Sequence, residues 1–163
     1  MKPDRAHNFG TYFVTTNTWE RRALFRKEHM AKIFIETLFH YRKEKRYLLH
    51  EFVLMPEHFH LIITPCEITL ERAMQFVKGG SSHKIGKKLG TRMEIWQKGF
   101  SDHRIRDAGD YLTHRDYVLS NPVKAGFCSS PEQYPYCSAA PGFELDPVPQ
   151  RLKPLATAAQ RHG

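Results

Sequence analysis

Two histidines, His58 and His60, lie one residue apart inside the apolar segment LMPEHFHLIITP, residues 54–65. Side chains alternate across a β-strand, so both imidazoles project from one face of the predicted strand, while Phe59 and Leu61 project from the other. Two imidazoles at this spacing can bind one divalent ion. The alternative is a pair of histidines held by structural hydrogen bonds, and the spacing favours the metal.

Other known histidine chemistries require residues that this chain lacks. A histidine-triad nucleotide hydrolase needs a third histidine two residues further on, where Ile62 stands. A two-histidine phosphodiesterase needs two separate His-x-Thr or His-x-Ser motifs, and a helical zinc protease needs His-Glu-x-x-His. The sequence contains none of these motifs. The histidine pair therefore indicates a metal site of another kind.

The composition is typical of one basic globular domain. The chain has 163 residues, 40% hydrophobic content, a formal net charge of +8 and a pI near 9.5. This length suits a single domain with its own core. A small basic protein usually binds a polyanion, most often nucleic acid, although a merely solvated basic surface is the alternative.

The cysteines and the apolar segments predict a cytoplasmic protein without a membrane partner. Three cysteines without a CxxC pair are typical of a reduced, intracellular protein rather than of a disulfide framework or a thiolate zinc site. The N-terminus lacks the apolar core of a signal peptide. No apolar segment reaches the ~18 residues needed to cross a membrane.

The hydrophobic patterns predict the order strand, helix, strand, strand, helix, strand, followed by one more helix. This order favours an α+β sandwich of the ferredoxin-like (RRM-like) type, in which helices cover one face of a central antiparallel sheet. Gly79-Gly80 is predicted to interrupt the second helix and Asn121-Pro122 to end the third. The predicted strands lie at residues 10–19, 47–55, 58–64, 92–97 and 100–106, and the helices at 27–45, from Thr69 onward, and at 107–120.

The chain is predicted to divide into a folded part and a tail. Residues 1–140 carry all the periodic segments and form one domain. Residues 141–163 are rich in proline and alanine and show little pattern, so we expect a flexible C-terminal tail.

Two segments together resemble a known family. VLMPEHFHLIITP resembles the HUH motif (histidine, bulky hydrophobic residue, histidine) of single-tyrosine transposases. WQKGFSDHRIRDAGDYLTHRDYVLSNPVKAGF, residues 96–127, is similar to the tyrosine-helix segment of REP-associated tyrosine transposases, where REP denotes a repetitive extragenic palindrome. The resemblance covers roughly residues 8–140, and the order and spacing of the motifs make it specific.

The resemblance implies that Tyr117 is the nucleophile. Tyr111 lies six residues earlier, about 120° away around a helix, and is interpreted as a packing residue. Asn121 lies four residues after Tyr117, so both can lean to one side. The resemblance makes Asn121 a candidate third metal ligand beside the two histidines, with a helix cap as its alternative role. Glu57 or His103 can substitute as the third ligand.

The function implied by the resemblance is that of a single-stranded DNA endonuclease and transposase that requires Mg²⁺ or Mn²⁺. Such an enzyme nicks and rejoins DNA at imperfect hairpins through a 5′-phosphotyrosine intermediate. We expect a monomer that acts in cis. Two alternatives remain: a hairpin-binding protein that has lost turnover, and a metal-dependent phosphodiesterase that uses water and in which Tyr117 is structural.

Basic residues concentrate between the histidine pair and the tyrosine. Residues 78–106 hold eight basic and two acidic side chains, which gives a net charge of +6. This concentration predicts a phosphate-binding surface beside the catalytic site, with a solvated helix face as the alternative. Trp96 is a candidate for stacking on unpaired bases, or else a core residue. The candidate DNA-binding cations are Lys78, Lys84, Lys87, Lys88, Arg92, Arg104 and Arg106.

Overall fold

The computed structural model describes residues 10–152 and confirms the predicted order of the main elements. No helix in this described part of the chain is long and apolar enough to span a membrane. The elements are β1 (Tyr12–Asn17), α1 (Glu28–Lys43), β2 (Tyr47–Met55), β3 (His58–Pro65), α2 (Leu70–Leu89), β4 (Ser101–Arg104) and α3 (Ala108–Lys124).

The four strands form one antiparallel sheet in the order β2-β3-β1-β4. The two-residue link Pro56-Glu57 joins β2 to β3, which is the predicted hairpin. Strand β3 lies between β2 and β1, with His60 opposite Thr15 and His58 opposite Asn17. This is the ferredoxin-like arrangement predicted from the order of the elements.

The two faces of the sheet bury different clusters. On one face, Phe59, Leu61 and Ile63 of β3 are fully buried against α1 and α2. Each such side chain contributes roughly 1.5–3 kcal/mol by leaving water. On the other face, Ile62 packs in a smaller cluster with Val118 of α3. The histidine face of the sheet is therefore the face that α3 covers.

Helix α2 continues through Gly79-Gly80, so the predicted interruption there is wrong. The Thr69 side chain accepts a hydrogen bond from the Arg72 backbone N–H at 3.0 Å, which begins the helix at the predicted cap. A Cβ atom on Gly80 would lie 2.9 Å from the Tyr41 ring. The glycine therefore permits close packing of α2 on α1, and this tertiary contact outweighs the low helix propensity of glycine.

Helix α3 also continues past its predicted end, because Pro122 lies inside it. The Asn121 carbonyl accepts a hydrogen bond from the Ala125 N–H at 3.0 Å, so helical bonding resumes directly after the proline. The ring of Pro122 is buried, which offsets the loss of its N–H. Asn121 is consequently a helical residue and not the helix cap, and it stays one turn beyond Tyr117.

The short strand predicted at residues 92–97 is absent from the structure. Within residues 10–152, this segment forms only an isolated bridge between Thr18 and Trp96. The following strand prediction is confirmed by β4, although β4 is shorter than the predicted 100–106.

Residues 141–152 pack against the domain, which differs from the expected flexible tail. The Arg42 guanidinium donates two hydrogen bonds of 3.0 Å to the Asp146 carboxylate. The same carboxylate accepts the Leu49 backbone N–H at 2.8 Å. Phe143 stacks on Phe39 with ring centroids 5.3 Å apart. The Asp146 side chain thus caps a backbone N–H group at the edge of β2. No short segment of the sequence indicates this long-range contact. The rest of the expected tail, residues 153–163, lies outside the described residues.

The Asp146→Ala variant tests this anchor. We expect a loss of about 2–3 kcal/mol in the free energy of unfolding, because the substitution removes both 3.0 Å hydrogen bonds of Arg42 and the acceptor of the Leu49 N–H. Urea unfolding measures the loss. Glu144→Ala is the matched control, since this exposed carboxylate also contacts Arg42, at 3.4 Å, and should cost less than about 0.5 kcal/mol. Equal losses in the two variants would contradict the anchor.

Candidate active site

The fold brings Tyr117 to the histidine pair. The His58 and His60 rings lie on one face of β3 with centroids 4.8 Å apart. The Tyr117 ring centroid lies 5.1 Å from that of His60, in an edge contact. Tyr117 is nevertheless 47% exposed. A reachable phenol and two imidazoles therefore lie together within a single chain, and we call the space between β3 and α3 that they border the cleft.

The helical repeat explains which side chains of α3 enter this cleft. His114, Tyr117 and Asn121 are spaced by three and four residues and so form one stripe along the helix. Tyr111 and Val118 lie about 90° further around α3 and are buried in the cluster beneath it. The buried side fixes the rotation of the helix, so the stripe faces the strand residues. Tyr111 is a packing residue, as its position around the helix predicts.

His60 presents one unpartnered nitrogen to the cleft. Its Nδ1 lies 2.7 Å from the Thr15 Oγ1, whereas its buried Nε2 has no hydrogen-bond partner among the described residues. Burial, with a smaller contribution from nearby His58, lowers the pKa of His60 to about 3. The ring is therefore neutral at physiological pH, which is the state that binds metals. A buried nitrogen without a partner is costly, so the donor set suits an ion.

His58 lies beside two of the candidate third ligands. Its Nδ1 is 3.2 Å from the Glu57 Oε1. Burial lowers the pKa of His58, and the Glu57 carboxylate partly opposes that shift. The Asn121 side chain also lies close enough to form a hydrogen bond that raises the pKa of His58. With Nδ1 turned to Glu57, as in many metal-binding histidines, Nε2 is left for an ion.

His103 lies outside the group formed by His58, His60 and Tyr117 and belongs to a second group of side chains. Its Nε2 lies 2.8 Å from the Asp110 Oδ2, and the His114 Nδ1 lies 3.1 Å from the Asp110 Oδ1. We name these three residues the His-Asp-His cluster. The Phe13 ring separates it from the histidine pair, with centroids 5.2 Å from His60 and 4.8 Å from His114. Asp110 and His114, four residues apart in a predicted helix, were the sequence signal for this cluster.

Trp96 belongs to the core, so the prediction that it stacks on bases is wrong. Its side chain is 4% exposed and stacks on Phe25 with ring centroids 5.2 Å apart. The indole N–H donates a 3.0 Å hydrogen bond to the Ser81 Oγ. An unpaired base has no access to this ring.

The Lys78 side chain also forms hydrogen bonds within the protein. Its ammonium donates to the Gln97 carbonyl at 2.9 Å and to the Gly99 carbonyl at 2.6 Å. Burial lowers the pKa of Lys78. These contacts tie α2 to the segment before β4 and remove Lys78 from the candidate phosphate-binding cations.

The other basic candidates are exposed but lie in two places. Arg104 ends the edge strand β4, and Arg106 lies between this strand and the tyrosine helix. Helix α2 packs on the sheet face opposite the histidines. Its basic surface therefore lies in the opposite layer of the molecule and not directly beside the cleft, unlike the prediction. The exposed cations of this α2 surface are Lys84, Lys87, Lys88 and, just beyond the helix, Arg92.

Comparison with known protein families identifies the class of protein. The family described as "Transposase IS200 like" matches residues 9–121, which include the histidine pair, Tyr117 and Asn121. The match spans well over half of the chain. The chain therefore belongs to the IS200-like transposase family.

Within that family, the chain is related to REP-associated tyrosine transposases, which confirms the resemblance. A REP-associated tyrosine transposase of Escherichia coli K12 is 30% identical over 131 residues, covering 78% of this chain and 74% of that protein. An uncharacterised protein of Haemophilus influenzae Rd is 27% identical over 145 residues, covering 70% and 81%. The solved structure of a REP-associated tyrosine transposase bound to a REP hairpin superposes with a TM-score of 0.67 at 28% identity, covering 79% and 76%.

The depressed pKa of His60 predicts acid sensitivity of the metal-free protein. The unfolded chain takes up a proton near the ordinary pKa of 6.5, whereas the folded ring stays neutral down to about pH 3. The stability due to neutral His60 is therefore complete above pH 6.5 and is lost progressively as the pH falls. Between pH 7 and pH 5 this loss is on the order of 2 kcal/mol.

The His60→Asn variant isolates that contribution. Urea unfolding at pH 7 and pH 5, in a chelator, measures the change in stability for each protein. The change should be smaller in His60→Asn by on the order of 2 kcal/mol, whatever its stability at pH 7. The same acid-induced loss in both proteins would show that the His60 pKa is not depressed.

Proposed function

We propose that the protein is a metal-dependent single-stranded DNA endonuclease and transposase that nicks and rejoins DNA at hairpins. The observation that carries this proposal is the exposed Tyr117 beside the neutral imidazole of His60. Family membership supports DNA transposition as the class of reaction. A related transposase bound to a REP hairpin supports a hairpin substrate.

In the proposed reaction, the Tyr117 Oη attacks the phosphorus of the scissile phosphodiester. A bond forms between Oη and phosphorus while the bond from phosphorus to the 3′-oxygen breaks. The phenol proton is lost, since a free phenol has a pKa near 10 and is a weak nucleophile, and the departing 3′-oxygen gains a proton. The product is a 5′-phosphotyrosine that conserves the phosphodiester energy. A second 3′-hydroxyl reverses the step and joins two strands.

Residues His58, His60 and Asn121 would hold a Mg²⁺ or Mn²⁺ ion, which supplies charge neutralisation at the scissile phosphate when bound. Two imidazoles tilt the preference towards Mn²⁺. The unpartnered His60 Nε2 supports this assignment. Thr15 and Glu57 contact the Nδ1 atoms of the two histidines and orient the rings.

We infer that the nucleophile acts in cis in a monomer. The 5.1 Å contact between Tyr117 and His60 joins two residues of the same chain, so this cleft needs no residue from a second copy. The buried side of α3, with Tyr111 and Val118, holds the helix on its own sheet.

Two groups of cations suit two parts of the substrate. Arg104 at the end of β4 and Arg106 just before α3 are exposed, and we assign them to the phosphates of the single strand. The α2 surface lies in the layer opposite the cleft, so a short DNA strand bound in the cleft does not reach it. A hairpin that extends past the β4 edge is large enough to contact it.

Denaturing electrophoresis with labelled hairpin DNA and Mn²⁺ tests the nucleophile. We expect a slow-migrating protein–DNA adduct that disappears in Tyr117→Phe, because the substitution removes the attacking oxygen and little else. Tyr111→Phe is the matched control and should retain the adduct, since Tyr111 is buried away from the cleft. Cleavage that survives Tyr117→Phe would favour the water-using phosphodiesterase. Binding without cleavage by the wild type would favour a hairpin-binding protein.

The salt dependence of DNA binding tests the two groups of cations. Loss of two phosphate contacts to a single DNA strand should reduce the magnitude of the negative slope of log K against log salt by about 1.4. We expect this change for the double variant Arg104→Ala, Arg106→Ala with both a hairpin and an unstructured strand.

The double variant Lys87→Ala, Lys88→Ala removes the same charge and should weaken hairpin binding alone. The lysine variant should therefore bind the unstructured DNA strand like the wild type. If it loses as much affinity for that strand as the arginine variant, the two groups of cations do not contact different parts of the substrate.

A further inference from the structure

The His-Asp-His cluster joins the edge strand to the tyrosine helix outside the proposed catalytic metal site. His103 comes from β4, whereas Asp110 and His114 come from successive turns of α3. One ligand atom from each of the three residues lies within 4.8 Å of the other two. The imidazoles stack with centroids 4.6 Å apart, so both rings meet the same carboxylate.

The distances in this cluster are close to those around a bound metal ion. Donors at 2.0–2.2 Å from a tetrahedral zinc ion lie about 3.3 Å apart. The His103 Nε2 is 2.8 Å and the His114 Nδ1 is 3.1 Å from the Asp110 oxygens. The three ligand atoms lie within 4.8 Å of one another, so a small outward movement would admit an ion.

Asp110 is held as an ionised, oriented ligand. Burial opposes its ionisation, but hydrogen bonds from the Arg106 N–H and from His103 hold the pKa of Asp110 below its usual range. The Arg106 N–H donates to the Asp110 Oδ2 at 3.0 Å, which fixes the carboxylate from outside the cluster. Oriented donors of this kind are typical supports of metal ligands.

The cluster is separate from the histidine pair in place and in chemistry. The Phe13 ring packs between His60 and His114, so one ion cannot contact both groups. Two imidazoles and one carboxylate favour a borderline ion such as Zn²⁺ over Mg²⁺. Binding requires the His103 Nε2 and the His114 Nδ1 to lose their protons, so His114 would give up the 2.8 Å hydrogen bond from its Nδ1 to the Asp110 backbone carbonyl.

We propose that His103, Asp110 and His114 form a second metal site, which takes a Zn²⁺-class ion and ties β4 to the helix that carries Tyr117. The ion would replace hydrogen bonds between the two elements with coordination bonds. Tyr117 lies three residues beyond His114, so the site would fix the part of α3 that leads into the nucleophile.

Cobalt binding to untagged, chelator-stripped protein tests the site without DNA, independently of the proposed catalysis. The His58→Ala, His60→Ala background removes the other candidate site. Titration with Co²⁺, followed by its visible absorption and by metal analysis after dialysis, should give about one equivalent per chain. Adding His103→Asn or His114→Asn should abolish this binding. The asparagine amide can still donate to Asp110, so the change removes ligation rather than all contact.

A matched control and a stability measurement make the result decisive. His83→Asn alters an exposed histidine of α2 and should keep the full equivalent of Co²⁺. Zn²⁺ at a hundredfold excess over its Kd should raise the Tm of the background protein by roughly 5–10 °C. This rise should vanish with His103→Asn, while circular dichroism verifies that the variant is folded. Binding that persists in both asparagine variants, or no Co²⁺ binding by the folded background protein, would overturn the proposal.

Discussion

The register of β3 is the constraint on which the site depends. Phe59, Leu61 and Ile63 are fully buried on one face, and the neighbouring strands β1 and β2 hold β3 on both sides. A slip of one residue would turn these side chains to the cleft and bury His58 and His60 in the apolar core. The large hydrophobic gain of the core therefore fixes the position of the two histidines that face the cleft.

Helix α3 supplies the other half of the site by the same principle with a different period. Its buried residues Tyr111, Val118 and Pro122 set the rotation of the helix on the sheet. The stripe that contains Tyr117 and Asn121 then faces β3. The strand places its two histidines by a repeat of two and the helix places Tyr117 by a repeat of 3.6. Neither repeat alone defines a site. The site forms because α3 packs on β3.

Local patterns predicted the parts of this structure that local interactions determine. The alternation in β3, the two-residue hairpin link and the Thr69 cap are visible in short segments. Gly80 and Pro122 lie inside helices despite their low helix propensities, because Gly80 packs closely against Tyr41 and Pro122 is buried in α3.

Contacts between distant segments also decide the roles of individual side chains in the candidate site. Trp96 resembles a stacking residue in sequence, but Phe25 and Ser81 enclose it. Asp146 lies almost a hundred residues from the β2 backbone group that it caps, a pairing without a short-range signal. The proximity of Tyr117 to His60 was implied by family resemblance, and its geometry required the folded chain.

In the proposed enzyme, the basic surface of α2 and the candidate catalytic residues lie in different layers, and this separation has a functional consequence. The exposed cations of α2 lie in the layer opposite the cleft, whereas burial lowers the pKa of both imidazoles in the cleft itself. Phosphate contacts made far from the scissile bond position a substrate without discriminating between its ground and transition states. A hairpin that spans both layers can use these contacts to orient one phosphate against Tyr117. A strand confined to the cleft lacks that source of binding energy, so the preference for a hairpin over a plain strand would follow from the arrangement of the layers, without base-specific contacts.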